Sequence, residues 1–169
     1  IELRAGHIAD PADGNTVIGV QGFKGRGQNS SKKPARVVAA GPNGSLAWLL
    51  GPSENISWYY DVDPLPNGDY LISGSHPSGA TIIRYDPSSG ERVWTERLDI
   101  HDTHDVDLIN GDQLLIADMR GYNETTERND AGLFVYNRTT EEVEYQWYAR
   151  SIYSREQGGA YQGDWSHIN

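Results

Sequence analysis

Two stretches of this chain repeat one another, and a repeat of their length leaves few folds open. The first, "YYDVDPLPNGDYLISGSHPSGATIIRYDPSSGERVWTERL", runs from Tyr59 to Leu98. The second, "THDVDLINGDQLLIADMRGYNETTERNDAGLFVYNRTTEEVEYQWYA", runs from Thr103 to Ala149. Each opens with Asp-Val-Asp, reaches an Asn-Gly-Asp turn, and passes through an apolar strand, a loop and a second apolar strand carrying Tyr. A further turn then leads to a Trp-bearing strand. The upstream piece "TVIGVQG…ARVVAAGPNGSLAWLL" fits the last three strands of the same unit, with Trp48, Trp94 and Trp147 placed alike as core aromatics. Units of four short strands recurring at this spacing are the mark of a β-propeller blade.

The strand chemistry agrees. "YLISGS", "TIIRYD", "QLLIADM" and "LFVYN" are short, apolar and rich in residues that suit a pleated surface covered on both faces. Asn67-Gly68 and Asn110-Gly111 are expected to form type I′ hairpin turns, which require positive φ at both central residues. Strands are expected near 36–40, 46–50, 58–64, 70–74, 81–86, 92–97, 104–109, 113–118, 133–137 and 143–148. No segment keeps a 3.6-residue apolar period, so the expected class is all-β. Blades are expected at about 15–51, 58–98 and 103–149, with the start of another at 164–169. At roughly 46 residues a unit, the chain supplies about three and a half blades, and closed propellers use about four to eight. Further blades, from the same chain or from other chains, are therefore expected to complete the ring.

Composition narrows the partners. Twenty-four acidic residues against fourteen Lys and Arg give a formal net charge of −10, which argues against nucleic acid, since phosphate binding needs a basic face. Such an acidic shell suits a well-solvated surface at high salt. With no cysteine there is neither a disulfide framework nor thiol chemistry. No run of eighteen apolar residues is present to cross a membrane as a helix. Five Asn-x-Ser/Thr sequons, at Asn29, Asn43, Asn55, Asn123 and Asn137, point to an exported or cell-surface glycoprotein, with Asn123 in its long polar loop the favoured acceptor. The loop from Gly22 to Lys33 is glycine-rich and basic but lacks the phosphate-cradle pattern, and reads as an insertion, as does that from Arg120 to Gly132.

The densest polar stretch is "HDTHDVDL", His101 to Leu108. As a metal centre it is disfavoured, because His101 and His104 stand three apart and odd spacing on a strand sends side chains to opposite faces. No metal or other cofactor is expected. Asp61 and Asp63 recur at Asp105 and Asp107, so these aspartates read as part of the fold, bonding neighbouring backbone. His104 does not recur, because the first unit has Tyr60 in its place. A residue the fold does not demand, at the start of a blade's first strand, is a candidate for a channel-facing role. His7, His76 and His101 read as loop residues.

The run from Thr103 to Trp147, with "GGAYQGDWSHIN" at the end, resembles the arylsulfotransferase-like proteins, particularly those of halophilic archaea. The resemblance covers most of the chain from Trp58 onward. It implies a six-bladed propeller with its site at the central channel and no metal cofactor. The activity it implies is sulfuryl transfer from an aryl sulfate to a phenolic acceptor through a histidine intermediate. It also makes His104 one channel histidine, makes His167 and Asn169 a His-x-Asn pair that binds sulfuryl oxygens, and matches Arg120 loosely to an anion-binding arginine. The family's nucleophilic histidine has no counterpart in these residues. His104 and His167 are expected to share one solvent-reached cavity. The alternative reading is a non-catalytic, glycosylated extracellular or filament-associated propeller that contacts other proteins. A quinone-dependent dehydrogenase of similar form is the weakest reading, since nothing here supplies its cofactor pocket.

Overall fold

The computed structural model describes residues 14–20, 35–51, 56, 58–76, 79–100, 103–118 and 131–152. Eleven strands occur among them: β1 (Thr16–Val20), β2 (Arg36–Ala40), β3 (Leu46–Leu50), β4 (Trp58–Pro64), β5 (Tyr70–His76), β6 (Gly79–Asp86), β7 (Glu91–Leu98), β8 (Thr103–Asn110), β9 (Gln113–Asp118), β10 (Gly132–Asn137) and β11 (Glu142–Tyr148). One 3₁₀ turn, Ala149–Ser151, is the sole helical element among the described residues. The chain is all-β, and each of the ten expected strands overlaps an observed one.

The strands form three antiparallel meanders, β1-β2-β3, β4-β5-β6-β7 and β8-β9-β10-β11. The middle sheet is covered on both sides. Ile72, Ile83 and Tyr85 pack with Val37, Ala39, Trp48 and Leu50 of the first sheet, while Leu71 and Ile82 pack with Val106, Leu114, Ile116, Phe134 and Tyr136 of the third. Neighbouring residues on one strand thus serve opposite cores, which is why β5 and β6 are apolar without alternation. Burying Ile72, Ile82 and Ile83 completely contributes on the order of 2 kcal/mol each. The first strand of each four-stranded sheet lies at the sheet edge, and β4 runs beside β1 on one side and β8 on the other.

Register makes the second and third units superimposable. From β4-β5 to β8-β9 each position returns 44 residues later, Asp61 at Asp105, Val62 at Val106 and Ile72 at Ile116. Against this frame the Asn-Gly dipeptides are one residue out of phase, and neither forms the expected type I′ turn. Gly68 and Gly111 have positive φ, but Asn67 and Asn110 do not. In the first turn Gly68 N–H bonds Leu65 O and Leu65 N–H bonds Asp69 O. That is a type I turn over Pro66-Asn67 closed by a left-handed Gly68, and Pro66 suits it because its ring fixes φ. Gly41 to Ser45 repeats the pattern around Pro42-Asn43-Gly44.

The three tryptophans expected at like positions are not all equivalent. Trp48 stands opposite Ala39 and Trp94 opposite Arg84, each just before a bulge in its sheet. In the third sheet that place, opposite Val135, belongs to Tyr145, and Trp147 lies two residues farther along. Trp48 packs on Tyr70 and Tyr85 of the next sheet. Trp94 packs under Arg138 of the next. Tyr145 is 55% exposed. The count from the preceding Tyr carries the equivalence, nine residues from Tyr85 to Trp94 and from Tyr136 to Tyr145.

Candidate functional site

The stretch holding His104 owes its geometry to a one-residue bulge. Thr103 pairs with Asp118 and Asp105 with Ala117, so His104 is the extra residue. The same irregularity occurs in β4, where Tyr59 pairs with Gly74, Asp61 with Ser73, and Tyr60 is extra. A bulge adds twist and re-aims the side chain it carries. Two equivalent bulges on adjacent first strands bring their rings together. Tyr60 and His104 stack with centroids 5.2 Å apart and planes inclined by 19°. Trp58 meets Tyr60 edge-on at 6.0 Å, extending the aromatic row along β4. The three rings are half-buried.

Beside this row lies a carboxylate cluster joining β4 to β8. Asp61 and Asp63, two apart, project to the face shared with Leu71, which packs on the third sheet. Asp61 Oδ2 accepts a 3.1 Å hydrogen bond from Val106 N–H. That bond is the structural role expected for the aspartates, realised across two sheets. Oxygens of Asp61, Asp63 and Asp105 all lie within 4.8 Å of one another. Asp107 is exposed.

The electrostatics follow from this crowding. Burial raises the Asp61 carboxyl to about 6. The Val106 N–H pulls against that shift, while the neighbouring carboxylates of Asp63 and Asp105 add to it. Asp63 is raised as well, by burial first and then by Asp105 and Asp107. The edge carrying His104 therefore holds three crowded carboxyl groups, two of which ionise less readily than ordinary aspartates. By contrast, the exposed Asp86 is lowered to about 2 because hydroxyl and backbone donors of Ser88 and Ser89 converge on it.

Of the residues singled out from sequence, His104 sits at this edge. His167, Asn169 and Arg120 lie outside the described residues, and so does the cavity expected between His104 and His167. The sequons at Asn29, Asn55 and Asn123 lie outside them too. Asn43 is exposed on its turn, its Oδ1 accepting from Ser45 N–H and Ser45 Oγ. Asn137 is half-buried and fully engaged, since Nδ2 donates to Glu144 at 2.7 Å and Oδ1 accepts from the backbone of Thr139 and Thr140. Sequence reasoning assigned the aspartates to the fold alone and missed their convergence. The signal available was Asp-x-Asp recurring at the start of successive first strands. No family model matches this chain, and no curated protein matches it significantly.

Proposed function

We propose that this chain is a segment of an exported β-propeller of the arylsulfotransferase-like type, its sheets acting as blades and its first strands lining the channel. The observation that carries the reading is the pair of equivalent bulges that stack Tyr60 on His104 where β4 and β8 run side by side. On this reading His104, with His167 and Asn169, donates hydrogen bonds to sulfuryl oxygens, and Arg120 adds a cation. The transition state of sulfuryl transfer spreads negative charge over three oxygens, so positioned donors supply most of the rate. The acceptor is a phenol, and the covalent histidine is contributed by a blade outside these residues.

A second reading is favoured by one observation. Asp61, Asp63 and Asp105 flank the edge that holds His104, and three carboxylates repel a sulfate ester. A non-catalytic, glycosylated surface propeller has no such conflict. The two separate on one experiment, in which the full-length protein, including the blade that carries the covalent histidine, is incubated with 4-nitrophenyl sulfate and a phenol and nitrophenolate release is followed. Turnover that falls at least about a hundredfold in His104→Ala supports the transferase. Absence of turnover, or turnover indifferent to that change, leaves the scaffold reading.

A further inference from the structure

We infer that Asp61, Asp63 and Asp105, together with the hydroxyl of Ser73, form a binding site for a hard divalent cation, with Ca²⁺ the best fit. The site ties the second sheet to the third and is independent of the transferase reading. Among the described residues no other group of three metal-binding side chains converges in this way.

Acidic clusters are common on proteins without any ion, so convergence alone decides nothing. The second observation is Ser73. It is 1% exposed, and its Oγ has no hydrogen-bond partner among the described residues. It stands directly opposite Asp61 in the β4-β5 ladder. Paired residues of an antiparallel ladder project to the same face with their Cβ atoms about 5 Å apart. The Ser73 hydroxyl therefore opens beside the Asp61 carboxylate, on the side facing β8. A buried hydroxyl without a partner costs about 1–3 kcal/mol, and one among carboxylates is a neutral oxygen ligand in waiting. The Val106 N–H bonds Asp61 Oδ2 and holds that carboxylate in place beside β8.

Size and charge select the ion. Ca²⁺ binds oxygens at about 2.3–2.6 Å, so two of its ligands lie at most about 5 Å apart, which accommodates carboxylate oxygens within 4.8 Å of each other. Mg²⁺ demands near-ideal octahedral geometry at about 2.1 Å and gives up water reluctantly, so a cage of three carboxylates and a hydroxyl suits it less well. Every donor here is oxygen, which disfavours the softer metals. A bound dication would also cancel most of the negative charge beside His104.

The test uses the protein freed of divalent ions with a chelator and then titrated with CaCl₂ alone, followed by calorimetry and thermal melting. One site with Kd of about 10⁻⁴ M and a melting point raised by several degrees is expected. Mg²⁺ should bind at least about tenfold more weakly. Asp63→Asn should weaken Ca²⁺ binding about tenfold or more yet melt no lower than the parent in chelator, because it also removes a repulsive charge. Ser73→Ala should weaken binding severalfold without loss of stability in chelator. No saturable Ca²⁺ binding, or many weak sites unaltered by Asp63→Asn, would overturn the site. Equal affinity for Mg²⁺ would overturn the choice of ion.

Discussion

Arg138 is one of the side chains that tie the second sheet to the third, and replacing it measures its share of that contact. It follows β10, yet its guanidinium carbon lies 3.7 Å from the centre of the Trp94 ring on β7. Its Nε donates to Glu96 at 3.1 Å and its Nη1 to Asp112 at 3.2 Å. The Arg138 side chain is 14% exposed and that of Glu96 22%, whereas Asp112 is 62% exposed. The stack on Trp94 is worth about 1 kcal/mol in this setting. The Glu96 pair, partly desolvated, adds about 1 kcal/mol, and the open Asp112 pair adds little. Arg138→Ala should therefore cost about 2 kcal/mol, which at a urea slope of about 2 kcal/mol per M lowers the unfolding midpoint by about 1 M. Arg138→Lys keeps the charge but not the planar fork, so it should lose about half as much. The assay is urea unfolding followed by tryptophan fluorescence at neutral pH. A midpoint shift below about 0.2 M for Arg138→Ala, or a Lys variant as stable as the parent, would refute the reasoning.

Gly74→Ala should destabilise by about 2–3 kcal/mol, because a Cβ there would lie 2.8 Å from Ile56 Cγ2 and from Trp58 O, and the backbone oxygen has little room to move. Urea unfolding checks it, and a midpoint equal to the parent's would show the β4-β5 edge to be loose. In chelator, stability should fall as pH rises through about 6. The Asp61 carboxyl, raised to about 6 from an ordinary 3.8, is protonated more readily folded than unfolded, so its contribution is fully present below about pH 4 and lost above 6. The shift corresponds to about 3 kcal/mol at face value, reduced to about 1 kcal/mol by the solvent that reaches this half-buried group. Asp61→Asn should flatten that slope, and an unchanged pH profile of unfolding would refute it. Peptide mapping of the protein from a glycosylating host should find sugar on Asn43 in preference to Asn137, whose Nδ2 is already bonded to Glu144. Occupancy in the reverse order would refute this.

The all-β class, the strand positions and the recurrence of units were legible in sequence, because apolar pattern and turn residues act over a few neighbours. Leu71-Ile72 and Ile82-Ile83 had to serve a sheet covered on both faces, since no alternation divides them. Register was not legible. A one-residue phase difference separates Asn67-Gly68 from Asn110-Gly111, and a two-residue one separates Trp147 from its apparent counterparts; composition is blind to shifts that size. Nor was the site. The odd spacing from His101 to His104 argued against a metal on these histidines. The carboxylates that converge come instead from β4 and β8, through a sheet contact that brings Asp105 near Asp61 and Asp63, while the ladder sets Ser73 opposite Asp61. The single extra residues Tyr60 and His104 carry no mark in the sequence, because a bulge leaves local preferences unchanged and arises only when two strands must stay paired while their twist increases. Short-range propensity could therefore name the strands. Where their side chains meet was decided by how three twisted sheets stack, since each contact depends on residues dozens of positions apart.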